Sequence, residues 1–233
     1  MAQAQAWAEE PASPIAGARR RRSGAAMSGV PELLAEAEHL LSREEAEASL
    51  AKANAALAQA SGEGAAAAAT RAIMHAEVHL GRQEDALTKG QAELAKSRQA
   101  GDKRGEATML LALAETDSRD EGGSRIQEAL ENAQKARELF QEIQGSKEVK
   151  KLEGQAVLAQ VNLHFQKGDN RAGDPQKCYH QALELARQAL DLFQEAGDVK
   201  GQATATHGIA AGRVNTGNLE GGIRAAKESL RLW

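Results

Sequence analysis

Small and apolar side chains recur along this chain at steps of four, three and four residues, which is the spacing of one face of an α-helix. The run from Ala182 to Phe193 and the run from Gly222 to Trp233 carry residues of the same kind at every position of that face, at an offset of 40. Related runs start near residues 46, 86 and 129. The pattern therefore predicts five equivalent helices, here called the B helices, that begin near 46, 86, 129, 182 and 222.

The intervals between the B helices leave room for a second helix in each repeat. The candidates for these A helices cover 31–41, 64–80, 104–116, 147–167 and 200–216. Two similar turns, Gly101-Asp102 and Gly197-Asp198, separate a B helix from the next A helix. Glycine adopts the left-handed backbone of a helix C-terminus at low cost, and aspartate caps the helix that follows. We therefore predict an all-α protein, a right-handed α-solenoid of about five helix hairpins over 30–233.

The spacing between repeats is uneven at two places. Three additional residues fall within 117–124, and thirteen fall within 166–177. Insertions in repeat proteins usually form loops on one side of the array, so both segments are predicted as loops. Within the second segment, Asp174-Pro175 has the pattern of a helix cap followed by proline at the first helical position.

The composition favours closely packed helices and excludes several classes of protein. Aromatic residues make up 3% of the chain against 42% hydrophobic residues in total, so alanine and leucine dominate; sandwiches and barrels draw instead on β-branched and aromatic residues. The net charge of −4 gives no overall basic field for nucleic acid. A single cysteine, Cys178, excludes an internal disulfide framework and suggests a reducing intracellular compartment. No apolar run approaches the ~18–20 residues of a membrane span.

Residues 1–29 differ in composition from the rest and are predicted to be a disordered or targeting tail. They contain Pro11, Pro14 and the cluster Arg19–Arg22, without the apolar stretch of a secretory signal. Arginine, alanine and serine are typical of organelle import sequences, whereas Glu9 and Glu10 oppose that interpretation. We expect a cytoplasmic protein, with organelle import as the alternative.

The repeat resembles the tetratricopeptide (TPR) family over residues 31–233. Small residues occupy the A-L-x-x-A positions of the B helices, and Gly81 and Gly217 precede them by five residues. The turn Gly-Asp-x-x-Gly-[Glu/Gln]-Ala is similar to that of the long-repeat subclass found in kinesin light chains and LGN-type adaptors. The chain departs from the family at Glu77 and Arg213, which stand where tyrosine is common.

The resemblance implies a concave surface, lined by the A helices, that holds peptide segments of other proteins. With Gly81 and Gly217 setting the register, the candidate partner-binding residues are Arg71, His75, His79, Glu115, Asn162, His207 and Asn215. An ordinary solvent-facing role is the alternative for each of them.

Catalytic, metal and cofactor sites find little support in the sequence. His75 and His79 have the i, i+4 spacing of two metal ligands, but no third or fourth ligand is adjacent. Cys178 and His180 diverge by about 200° on a helix, too far to form a catalytic pair. We therefore predict a protein that is not an enzyme and binds neither metal nor cofactor.

Two non-catalytic functions remain open. The first is a protein-interaction scaffold or adaptor that binds a peptide in the groove. The alternative is a structural accessory subunit of a large organellar or cytoskeletal assembly, tied by its tail and its last helix. The last B helix carries Ile223, Leu230 and Trp233 on one face, and we expect this face to be uncovered. It would then contact another protein or a second copy of the chain, or the chain would be a fragment of a longer array.

Overall fold

The computed structural model describes residues 29–118, 125–143 and 145–233. Every regular element within these ranges is an α-helix. In chain order the helices are α1 (Val30–Ser42), α2 (Ala46–Gln59), α3 (Ala65–His79), α4 (Gln83–Ala100), α5 (Lys103–Asp117), α6 (Ile126–Glu142), α7 (Lys147–Asp169), α8 (Pro175–Ala196), α9 (Val199–Asn215) and α10 (Leu219–Leu232).

The helices form five consecutive hairpins, α1–α2 to α9–α10, and each helix packs on its neighbours in the chain. The odd-numbered helices are the predicted A helices, and the even-numbered helices are the B helices. Successive A helices also contact one another, from α1 to α9, which makes them the continuous inner layer of the array. The predicted all-α solenoid is confirmed.

The turns between hairpins have the predicted backbone. Gly101 and Gly197 lie in the left-handed region with φ of 69° and 73°. Asp102 caps α5, where its Oδ1 accepts from the Gly105 amide at 2.7 Å. Its Oδ2 accepts from the Gly64 amide at 2.8 Å, so one side chain joins two successive hairpins. The equivalent Asp198 instead forms an ion pair with Lys151 at 3.7 Å.

The core consists mainly of alanine at the helix contacts, with a few large side chains between. Ala86, Ala129 and Ala186 are completely buried, which allows neighbouring helices to approach closely. Phe193 of α8 fills the space left by two glycines, Gly154 of α7 and Gly201 of α9. A Cβ at Gly154 would lie 2.9 Å from the Phe193 ring. The glycines therefore make room for one of the few aromatic rings of the chain.

Polar contacts stand at the ends of two A helices, at the positions where the TPR resemblance predicts tyrosine. Glu77 is 3% exposed and forms an ion pair with Lys89 of the following B helix. Arg213 donates from Nη1 to the Gly221 carbonyl at 3.1 Å. In both hairpins a polar contact between the two helices takes the place of a packed ring.

The second predicted loop is present but shorter than 166–177, since only 170–174 lies between the two helices. α7 continues to Asp169, and α8 starts at Pro175, capped by Asp174. The insertion therefore lengthens both helices, because alternating small and long side chains continue to pack there: Tyr179 covers Gly168 and donates to Asp169 at 2.8 Å. The other predicted loop lies mostly outside the described residues, as does the tail up to residue 28.

Candidate functional site: a charged cavity on the A helices

Four A helices, α1, α3, α5 and α7, surround an open cavity of about 290 Å³, here called the A-helix cavity. Its apolar walls come from Leu34 and Leu41 of α1 and Leu152 of α7. Its polar lining includes Arg71, Arg104, Lys151 and the two glutamates Glu38 and Glu148. The cavity thus combines apolar and charged surface, as protein-binding grooves do.

Arg71 is the centre of a hydrogen-bond network that links three successive A helices. From α3 its Nε and Nη2 donate to the two carboxylate oxygens of Glu115 on α5, at 2.8 and 2.6 Å. Its Nη1 donates to Gln155 Oε1 on α7 at 2.9 Å. His75 Nε2 lies 2.9 Å from Glu115 Oε2. The bidentate contact between Arg71 and Glu115 holds the guanidinium in the plane of the carboxylate.

The network strongly favours the charged form of Glu115. Burial by itself would raise the pKa of this carboxyl, but Arg71 and His75 outweigh burial and lower the pKa from 4.5 to about 2. The side chains of Arg71 and Glu115 are only 14% and 23% exposed. Water therefore screens this ion pair less than the other pairs on the surface.

A second ion pair joins the first and the last hairpin. Glu38 on α1 accepts from Lys200 Nζ on α9 at 2.8 Å, across 162 residues of sequence. The hydrogen bond from Lys200 is the largest cause of a lowered pKa at Glu38, and the charges of Lys200, Lys151 and Arg71 act in the same direction. Glu38 thus places a carboxylate in the positive field of three cations.

Arg104 adds a cation whose charge is not neutralised locally. It lies at the start of α5 and lines the A-helix cavity. Its aliphatic stem covers Gly64, where a Cβ would be only 2.8 Å from Arg104 Cγ. Within the described residues its guanidinium has neither an ion pair nor a hydrogen bond, so it is available to a ligand carboxylate.

The structure brings together only some of the residues predicted for the groove. Arg71, His75 and Glu115 form one network. Asn162, His207 and Asn215 are exposed on α7 and α9 outside the A-helix cavity, and His79 is exposed at the end of α3. These four stay predictions, with no common site between them.

Sequence reasoning missed Glu38, Lys151 and Lys200. Lys200 precedes His207 by seven residues and therefore lies on the same helix face. That spacing places Lys200 on the face of α9 that was predicted to bind partners, although neither residue lines the A-helix cavity. Glu38 has no such signal, because only the superhelical path of the chain brings α1 near α9.

Within the described ranges there is no cluster of three or more histidine, cysteine or acidic side chains that could hold a metal ion. The same part of the chain contains no helix with the length and apolar character needed to cross a membrane.

Comparison with known proteins supports the fold. A scan against protein-family models finds no match, and a search of curated proteins finds none either. Among solved structures, the crystal structure of a Podospora anserina putative kinesin light chain with nearly identical TPR-like repeats is similar, with a TM-score of 0.52 and 11% sequence identity. The match covers 87% of this chain and 94% of the other. At this identity the likeness establishes a TPR-like helical repeat and no narrower subclass.

Proposed function

We propose that this protein is a non-catalytic interaction scaffold whose A-helix cavity binds a segment of another protein. The observation that carries the proposal is the cavity itself, which joins apolar walls to cations on three of its four A helices, Arg71 of α3, Arg104 of α5 and Lys151 of α7. TPR-like folds generally bind proteins, and an open surface of this kind accommodates an extended chain.

The charges of the cavity favour a segment with acidic side chains. Lys151, Lys200 and Arg71 already act on one carboxylate, that of Glu38, and Arg104 adds a cation that forms no ion pair with any described residue. A carboxylate of the partner would meet the same positive field, while apolar side chains beside it would contact Leu34, Leu41 or Leu152. Electrostatic complementarity of this kind contributes mainly to specificity and to the rate of association.

The test compares the proteins captured from a cell extract by the wild-type chain and by a Lys151→Glu variant. Charge reversal at Lys151 places a second carboxylate beside Glu38 and repels an acidic segment. We expect the captured partners to be reduced several-fold, and peptides derived from them to bind more weakly in fluorescence anisotropy.

Lys96→Glu is the matched control. Lys96 lies on the B helix α4, where its side chain is 73% exposed and pairs with Glu93 of the same helix. The same reversal there should leave capture unchanged. Equal capture by the Lys151→Glu variant and the wild type, with both folded by circular dichroism, would contradict a binding role for the A-helix cavity.

A structural accessory subunit is the second candidate, and a different observation favours it. The last helix, α10, leaves Ile223, Leu230 and Trp233 exposed by 48%, 75% and 67%. If partners are lost with Leu230→Glu and retained with Lys151→Glu, docking through α10 replaces the groove as the main function.

A further inference from the structure

The ion pair between Glu38 and Lys200 differs from the other contacts of the array, because it joins the two ends. Lys200 Nζ of α9 donates to Glu38 Oε1 of α1 at 2.8 Å. In backbone packing, α1 contacts α2 and α3, whereas α9 contacts α7, α8 and α10. Among the hydrogen bonds and ion pairs within residues 29–118, 125–143 and 145–233, this is the one that connects the first hairpin to the last.

This contact, here called the rim pair, lies at the edge of the A-helix cavity. Glu38 itself lines the cavity from α1. Lys200 lies two residues after Asp198, whose carboxylate pairs at 3.7 Å with the cavity residue Lys151. The rim pair therefore bridges the gap between α1 and α9 beside the cavity.

The rim pair uses the same cations that an acidic partner segment would need. The hydrogen bond from Lys200, and then the charges of Lys200, Lys151 and Arg71, lower the pKa of Glu38. Glu38 is thus a carboxylate of the chain itself in the field where a carboxylate of the partner would bind. A partner carboxylate that approaches Lys200 must displace Glu38 and is repelled by it.

The rim pair is weak enough to open. Its two side chains are 58% and 64% exposed, so water and salt screen the attraction between them. Exposed pairs of this kind change an equilibrium by no more than about fivefold. Because α1 and α9 do not pack on each other within the described structure, no helix contact between them has to be broken when the rim pair separates.

We propose that the rim pair holds the two ends of the array together and restricts access to the A-helix cavity, and that an acidic partner segment opens it by replacing Glu38 at Lys200. The part that concerns the partner rests on the proposed function of the cavity. The closing contact itself needs no partner. Removal of the Glu38 charge should therefore separate the ends and also strengthen the binding of acidic segments.

The first experiment measures the distance between the ends of the full chain by double electron–electron resonance. Spin labels are attached at Ala48→Cys on α2 and Lys227→Cys on α10, two exposed positions, while the native Cys178 is buried. In this labelled protein, Glu38→Gln should raise the ratio of long to short distances by up to about fivefold. Lys200→Gln should have the same effect. High salt should shift the wild type in the same direction and change the Glu38→Gln variant little.

Glu142→Gln is the matched control. Glu142 pairs with Lys103 at 2.8 Å, and the two side chains are 57% and 61% exposed, as in the rim pair. This pair joins the consecutive helices α5 and α6, which pack on each other in any case. The control should leave the distance between the labels unchanged. A Glu38→Gln variant whose distances at low salt equal those of the wild type would refute the closing contact, whatever its binding properties.

The second experiment measures binding of a fluorescent peptide of alternating glutamate and leucine residues by anisotropy, with the glutamine analogue as the uncharged probe. Glu38→Gln should bind the glutamate peptide several-fold more tightly than the wild type does. Lys200→Gln should show no such gain, because it opens the ends but removes a cation. Equal affinity of Glu38→Gln and the wild type would refute competition by Glu38. A shift in distance together with equal binding of the two peptides would retain the closing contact and contradict the proposed preference for acidic segments.

Discussion

Replacing Glu115 by glutamine should reveal how strongly the Arg71 network stabilises the fold. The substitution keeps the shape of the side chain and removes its charge. Arg71, only 14% exposed, then loses the carboxylate that accepts two of its hydrogen bonds. A charge left without its partner in a partly buried position destabilises a protein more than the loss of an exposed pair.

The size of the effect follows from the lowered pKa of Glu115. A fall from 4.5 to about 2 corresponds to about 3 kcal/mol of stabilisation. Because the Glu115 side chain is still 23% exposed, water screens part of this interaction, and we expect about 2 kcal/mol. The folded-state pKa is the lower one, so the stabilisation is fully present above pH 4.5 and disappears as the pH falls towards 2.

The assay is urea unfolding of the wild type and the Glu115→Gln variant, followed by far-UV circular dichroism between pH 2 and neutral pH. The difference in unfolding free energy should be largest near neutrality and should shrink below pH 4.5. Glu106→Gln on the same helix is the control. Glu106 is buried to about the same degree as Glu115, but its partner Arg98, at 2.8 Å, is 52% exposed, so the change should cost less than about 1 kcal/mol at neutral pH. A difference for Glu115→Gln that is no larger than the control, or that does not change with pH, would refute this reasoning.

Two further predictions concern the turns and the core. Asp102→Ala should lower the unfolding free energy by about 1–2 kcal/mol, because Asp102 caps α5. Asp198→Ala, whose carboxylate faces a lysine instead, should cost less in the same urea titration. Gly201→Ala should destabilise by about 1–3 kcal/mol, because the added Cβ overlaps the ring of Phe193. Gly208→Ala should cost less in thermal unfolding, since its Cβ would lie 3.3 Å from Ala186 Cβ, which is a tight contact but not an overlap. Equal costs within either pair would show that these contacts do not control stability.

The helices and their pairing were predictable because they depend on local periodicity. A residue at i+4 or i+7 lies on the same face whatever the rest of the chain does, so recurring alanines identify the buried faces. The Gly-Asp turns were also predictable from the sequence. The left-handed backbone of Gly101 and the helix cap of Asp102 depend only on residues next to them in the chain. Helix α7 ends at Asp169, two residues beyond the predicted 147–167, where Gly168 makes room for Tyr179.

The binding surface was only partly predictable. Arg71 and His75 share a face of α3, and helical spacing identifies both of them. Their partner Glu115 lies 40 residues after His75, which is the regular repeat spacing, so it was among the candidates as well. Where neighbouring repeats differ in length, the number of residues between two side chains does not show whether they are in contact across successive A helices.

The sequence by itself determined that this chain forms paired helices with small residues at their contacts. Residues three or four apart lie on the same side of a helix, so their spacing states which side is buried. Only the tertiary structure decided which charges share a cavity. Each hairpin adds a small rotation to the array, and the sum over five hairpins brings Glu38 of the first to Lys200 of the last. That sum depends on every packing contact between them, from the buried alanines to the fit of Phe193 between two glycines. A property that accumulates over 162 residues cannot be obtained from the local spacing of any one of them.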